Sequence, residues 1–208
     1  MEVRGLTVGM LQENCYVARA EGSDTVVVVD PGEEGPRILQ TVADMGARVE
    51  AILLTHCHFD HVGAVAELAR ATQAPVTCPE LETAMLEDIN SFTFPGFGPY
   101  EGYTADKTVK GGETLQLAGL QLDVLFTPGH SPGHVTYAAS GGLFSGDVLF
   151  QQSVGRTDLP GGDWPTLARS IATLLERFPD ETTVFPGHMG ATTLGQERAT
   201  NPFLAELV

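Results

Sequence analysis

Thr55-His56-Cys57-His58-Phe59-Asp60-His61 is the stretch that decides how this chain is read. It follows Ala51-Ile52-Leu53-Leu54, an apolar run that reads as a strand buried in a sheet. His56 and His58 are two apart, which in extended chain puts both imidazoles on one side and Cys57 on the other. Asp60 and His61 follow as the chain turns into a helix expected over 62–70, and that turn can aim them at a second position beside the first. Three imidazoles and one carboxylate between His56 and His61 make a ligand set for a first-row transition metal.

The remainder of such a site stands at three later strand ends. His130 lies in Thr127-Pro128-Gly129-His130-Ser131-Pro132-Gly133-His134, Asp147 closes Phe144-Ser145-Gly146-Asp147, and His188 closes Phe185-Pro186-Gly187-His188. Small residues beside each let the backbone approach closely. The chain has 6 histidines, all expected just after strands or in Gly/Pro turns, none in a helix interior or mid-strand. Loops on the edge of a rigid sheet are where sites are built.

Working outward, strands are expected over 3–8, 15–18 and 25–29. The last, Thr25-Val26-Val27-Val28-Val29, has no polar face and suits a strand covered on both sides. Asp30-Pro31-Gly32 stops it. Ile38, Leu39, Val42 and Met45 fall at helical spacing, with Gly46 as the stop. Pro75-Val76-Thr77-Cys78 predicts a strand and 79–87 a helix. From Asn90 to Asp106 the pattern fails in a loop carrying Phe92, Phe94, Phe97, Tyr100 and Tyr103, read as a lid or binding loop, or as a flap packed on the body. Hairpins are expected about Ala118-Gly119 and Ser140-Gly141. Asp163 can cap a helix with Leu167, Ile171, Leu174 and Leu175 on one face, ended by Pro179. Thr183-Val184-Phe185 is the last expected strand, with a small helix over 194–199. No linker divides residues 1–208, read as a single domain. Strands flanked by helices in both halves predict an α/β fold of two sheets under outer helices, four layers in all.

Composition narrows the function classes. At 208 residues, 42% hydrophobic and 18% charged, the chain can bury a core and is not disordered. No apolar run approaches the ~18 residues of a membrane span, and Met1-Glu2-Val3-Arg4 lacks the layout of a secretion signal. A cytoplasmic location away from membranes is expected. A net charge of -16 repels phosphate backbones, which argues against nucleic acid as a partner and serves solubility. The 3 cysteines, Cys15, Cys57 and Cys78, form no Cys-x-x-Cys pair and argue against a disulfide framework. Cys57 alternates away from its flanking histidines, so packing is expected of it rather than nucleophilic attack.

The series His56-x-His58-x-Asp60-His61, His130, Asp147, His188 resembles the binuclear ligand series of the metallo-β-lactamase superfamily over essentially the whole chain. The resemblance implies an αβ/βα sandwich with the site at the sheet edges. It implies that His56, His58 and His130 hold one metal, that Asp60, His61 and His188 hold a second, and that Asp147 bridges both. Asp30 matches an aspartate that orients a ligand histidine by fixing its tautomer. His134 matches a histidine that is not a ligand and is read as hydrogen-bonded support. Two divalent ions are implied, zinc foremost, with iron or manganese compatible with the same nitrogen and oxygen donors. Two cations sharing a water lower its pKa towards neutrality. The expected chemistry is therefore attack of hydroxide on a carbonyl, with the oxyanion held by metal and Asp60 helping to position the hydroxide.

The segment from Gly155 through Arg156-Thr157-Asp158 to Asp163, and the tail from Thr192 to Leu204, resemble short bacterial glyoxalase II-like (hydroxyacylglutathione hydrolase-like) proteins. That implies a small-molecule thioester substrate, S-lactoylglutathione giving lactate and glutathione. Arg156 then either meets a glutathione carboxylate or pairs with Asp158 or Asp163. The helical domain that grips glutathione in full-length glyoxalase II is expected to be missing after Asn201-Pro202, leaving the 90–106 loop to supply part of the pocket. The runner-up is a persulfide dioxygenase, a class that shares the His-Cys-His-x-Asp-His run and the Gly-Arg-Thr-Asp segment and uses one iron, here held by His56, His130 and Asp147. Lactonase or β-lactamase activity is a weaker third. The sequence leaves the oligomeric state open, a homodimer included.

Overall fold

The computed structural model describes residues 1–205; the last three positions of the 1–208 reading lie outside the described residues. The first half builds one sheet, in the order β1 (Glu2–Val8), β2 (Glu13–Arg19), β3 (Thr25–Val29), β4 (Arg48–Leu53), β5 (Val76–Pro79) and β6 (Lys107–Val109). Helix α1 (Gly35–Asp44) crosses from β3 to β4, which pair in parallel, and α2 (Phe59–Val62) with α3 (Val65–Thr72) cross to β5. Helix α4 (Thr83–Glu87) follows β5.

The second half begins with β7 (Thr114–Leu117), β8 (Leu120–Phe126), β9 (Val135–Ala139) and β10 (Gly142–Gly146). A small hairpin of β11 (Leu149–Phe150) and β12 (Ser153–Val154) leads to α5 (Trp164–Arg177). Strands β13 (Thr183–Pro186) and β14 (Thr192–Thr193) and helix α6 (Leu194–Thr200) complete it. This sheet runs β14-β13-β10-β9-β8-β7.

Alternation along the strands explains the layering. In β3, Val27 and Val29 face the inter-sheet core with Leu53, Leu122, Val135, Tyr137 and Phe144, whereas Val26 and Val28 face Ile38, Val42 and Leu68 on the outer helices. The run without a polar face is thus a strand feeding two cores at once. On the far side, Leu143 and Val184 pack against Leu167, Ile171, Leu174 and Leu175 of α5. Asp163 caps α5 as expected, its carboxylate accepting from the Thr166 N–H at 2.9 Å. The result is the four-layer arrangement of helix, sheet, sheet and helix.

Two expectations are corrected. The helix over 62–70 is two helices, because the chain breaks at Gly63 and Ala64, where the Ala64 N–H donates to the Pro31 carbonyl at 3.0 Å. His61 therefore sits inside the one-turn helix α2 rather than in a turn. Strands β6, β11, β12 and β14 were not anticipated: runs of two or three residues carry no periodicity. The 90–106 loop opens with a 3-10 turn at Ile89–Phe92. It is closed on itself by Asn90, whose side chain bonds both backbone groups of Tyr100, and pinned to the body by Phe97 and Tyr100 packed on Phe59 and by the Tyr100 hydroxyl donating to Glu33 at 2.8 Å. No helix among the described residues is long and apolar enough to cross a membrane.

Candidate metal centre

The strands of both sheets end at one edge, and the turns that follow carry the expected site residues to one point. His56 and His58 leave β4, Asp60 and His61 ride on α2, His130 follows β8, Asp147 follows β10 and His188 follows β13. They assemble as two groups. In the first, His58 Nδ1 is 3.1 Å from His56 Nε2 and 2.8 Å from His130 Nε2. In the second, His188 Nε2 lies 3.3 Å from Asp60 Oδ2, with His61 beside them. Asp147 stands between: Oδ2 is 3.3 Å from His130 and 3.7 Å from His188, and Oδ1 is 3.3 Å from His61 Nε2.

Hydrogen bonds behind the ring fix which nitrogen is free. Thr55 Oγ1 donates to Asp30 Oδ2 at 2.6 Å, so it accepts from His56 Nδ1 at 3.1 Å, leaving His56 Nε2 as a lone pair. Asp30 Oδ2 takes His61 Nδ1 at 3.1 Å. The Arg156 carbonyl takes His130 Nδ1 at 2.8 Å, freeing His130 Nε2. His134 accepts the Asp147 N–H at 3.1 Å and bonds Thr127 Oγ1 on its other side, so it supports the Asp147 turn from behind.

The donor set fits a cation. His61 Nε2 and Asp147 Oδ1 are buried and face each other, yet they are not aligned as donor and acceptor and neither finds a hydrogen bond. In the neutral ring, with Nδ1–H given to Asp30, both atoms present lone pairs to one another, and a positive charge between them, a metal ion or a proton on Nε2, resolves the conflict. Burial holds His56 well below the ordinary histidine value and His58 at about 4, so both rings are neutral and ready to ligate. Burial pulls His61 the same way, but the Asp147, Asp30 and Asp60 carboxylates carry it well above that value. His188 is raised against its own burial by Asp60 and Asp147. Asp147 is held far below the carboxylate range by His61, His130 and His188 despite burial. The second group, without a metal, holds a proton instead.

Three supports escaped the sequence reading. The Asn14 amide donates to the carbonyls of Pro186 at 3.1 Å and Met189 at 2.8 Å, and its backbone N–H donates to Gly187, so it grips the turn on both sides of His188. Glu13, fully buried, brings a carboxyl to 3.7 Å from His61 Nδ1. Glu82, also buried, accepts from Ser131 Oγ at 2.8 Å, from the Gly133 N–H at 2.7 Å and from the Cys57 N–H at 3.4 Å, lacing the His56–His61 turn to the His130 turn. The available signal for Asn14 is a polar pair interrupting a buried strand; Glu82 looks like any acid on a solvated helix face.

The other expected residues fall as follows. Cys57 is buried on the far side, its Sγ 3.4 Å from Cys78 Sγ. Arg156 makes the paired contact with Asp158, two bonds of 2.7 Å, at the exposed rim. A cavity of about 310 Å³ opens above the metal-site residues. Phe92 and Phe94 of the 90–106 loop line it, with Leu11, Phe150, Leu159 and Met189.

Edge-of-sheet turns, seven converging donors and this αβ/βα frame define a metallo-hydrolase. The sequence profile of the Metallo-beta-lactamase superfamily matches residues 8–188, and the chain belongs to that superfamily. It is 39% identical over 211 residues to the probable metallo-hydrolase YqgX of Bacillus subtilis, covering 98% of each chain. To the hydroxyacylglutathione hydrolase GloC of Haemophilus influenzae it is 34% identical over 212 residues, again covering 98% of each. Among solved structures, the BLEG-1 B3 metallo-beta-lactamase superposes with a TM-score of 0.92 at 38% identity, covering 98% of this chain and 100% of that one. TTHA1623 in a di-iron-bound form gives 0.85 at 42%, covering 97% and 100%. ETHE1 from Myxococcus xanthus gives 0.80 at 29%, covering 97% and 84%.

Proposed function

We propose that this chain is a binuclear metal-dependent hydrolase of small-molecule thioesters, of the glyoxalase II type. One observation carries the two-metal reading: Asp147 reaches His130 with one oxygen and His61 with the other, so a single carboxylate spans both donor groups. His56, His58 and His130 would hold one ion and Asp60, His61 and His188 the other, with Asp147 shared; zinc is the first candidate and iron or manganese the next. What bound cations would supply is an acidified water and a polarised carbonyl. The chain's own residues do the rest. Asp60, whose carboxylate faces His188, orients the attacking water. Asp30 and the Arg156 carbonyl hold two imidazoles in the tautomer that leaves Nε2 free. Phe92, Phe94 and Leu159 give the cavity over the centre an apolar wall. The thioester reading draws support from GloC, whose name states that activity. A location in the cytoplasm accords with it.

The competing single-iron dioxygenase reading needs only His56, His130 and Asp147 and leaves Asp60, His61 and His188 without a task. The test is metal content of the purified protein alongside two assays, S-lactoylglutathione hydrolysis and oxygen uptake with glutathione persulfide. Two metals per chain and hydrolysis are expected. One iron with oxygen uptake and no hydrolysis would overturn the proposal.

A further inference from the structure

We infer that the centre is built for thioesters with a medium-length apolar acyl arm, and that it makes little demand on the charge of the carrier thiol. This rests on the thioester reading above. A second chamber of about 320 Å³ adjoins the cavity over the metal-site residues, and His58, Phe92, Phe94 and Leu159 belong to both. Met85 and Pro160 complete its apolar lining, and its only other polar residues are the neutral Ser91 and Thr93. Among the described residues, no carboxylate and no Lys or Arg lines it. Its continuity with His58 means that a substrate whose carbonyl sits at the metal-site donors can extend one arm into it.

That arm is the acyl group. A carrier thiol such as glutathione is large, polar and twice carboxylated, and burying it among phenylalanines would strip its charges of water without partners. Of the 11 Lys and Arg in the chain, Arg156 alone lines either cavity, and the Nε and Nη2 side of its fork is already paired with the Asp158 carboxylate. The carrier therefore meets one exposed cation at most, already neutralised by Asp158, and leaves through the exposed rim. A lactoyl group, short and hydroxylated, fills little of the chamber. An unbranched acyl chain gains about fourfold in affinity for each methylene that leaves water.

The experiment compares S-acetyl-, S-lactoyl-, S-butanoyl- and S-hexanoylglutathione, and hexanoyl on uncharged N-acetylcysteamine, with metal-loaded protein. The expected kcat/KM rises about fourfold per methylene from acetyl to hexanoyl, and the change of carrier alters the hexanoyl value less than about fivefold. Met85→Gln in the chamber wall and Phe94→Ser on the exposed loop should each lower the hexanoyl-to-acetyl ratio about tenfold. Calorimetry on metal-free protein gives a readout independent of turnover: S-hexylglutathione should bind more tightly than S-methylglutathione, and Phe94→Ser should narrow the gap. Acetyl and hexanoyl substrates within threefold of each other, or a ratio unmoved in both variants, would overturn the inference while leaving the thioesterase reading intact. No hydrolysis of any thioester would overturn both.

Discussion

Several candidate ligands, His61, His130, Asp147 and His188 among them, are held by residues distant in sequence, and that is where single substitutions should be felt. Asn14 reaches carbonyls 172 and 175 positions away and so fixes the backbone on either side of His188. Asn14→Ala should weaken the second metal by about 10- to 100-fold while the first stays bound, the usual effect of losing support behind a ligand. Metal counting after dialysis checks this, and equal loss of both ions would refute it. Gly187 is tighter still: a Cβ there would overlap the Asp147 carboxylate and the His61 ring. Gly187→Ala should therefore cost metal binding and hydrolysis together, with little change in the far-ultraviolet circular dichroism spectrum. The seven candidate donors could be picked out because histidine is rare in the chain and they fall at strand ends or on the turn of helix next to one. Asn14, Glu13 and Glu82 were not, since spacing along the chain says nothing about a hydrogen bond between its two halves.

At the level of elements, the β-branched strand β3 and the amphipathic helix α5 could be read directly, the first as an unbroken apolar run covered on both faces and the second because burial on one face imposes period 3.6 over 14 residues. The break between α2 and α3 could not, because it depends on the Pro31 carbonyl of another turn. Glu82 shows how the elements are joined. It sits just before α4 and ties the turn after β4 to the turn after β8. Glu82→Ala strands the buried Gly133 N–H and Ser131 hydroxyl, at about 1–3 kcal/mol for each group left unpaired. Glu82→Gln keeps one oxygen as acceptor for both and should recover most of the loss. Denaturant unfolding of the two variants measures the difference; equal stability of Ala and Gln would show that the brace carries no weight.

For the whole molecule, the centre stitches one sheet to the other at their shared edge, so metal binding and stability are linked. The two donor groups should also respond differently to acid. A proton and a metal compete for the same lone pair. His56 and His58 are held below the ordinary histidine value, His58 at about 4, so near pH 6 their nitrogens are already free. His61 and His188 are raised by the surrounding carboxylates, so near pH 6 they still carry protons that a metal must displace. As pH falls, the Asp60, His61 and His188 group should thus empty first, and the His56, His58 and His130 group should hold its ion to lower pH. Metal content after dialysis at stepped pH should drop from two per chain to one before reaching zero. His188→Ala protein, impaired in the second group from the start, should show only the lower step. Loss of both ions in one transition, or an early step surviving in His188→Ala, would mean that the carboxylates around His61 do not set the order of loading.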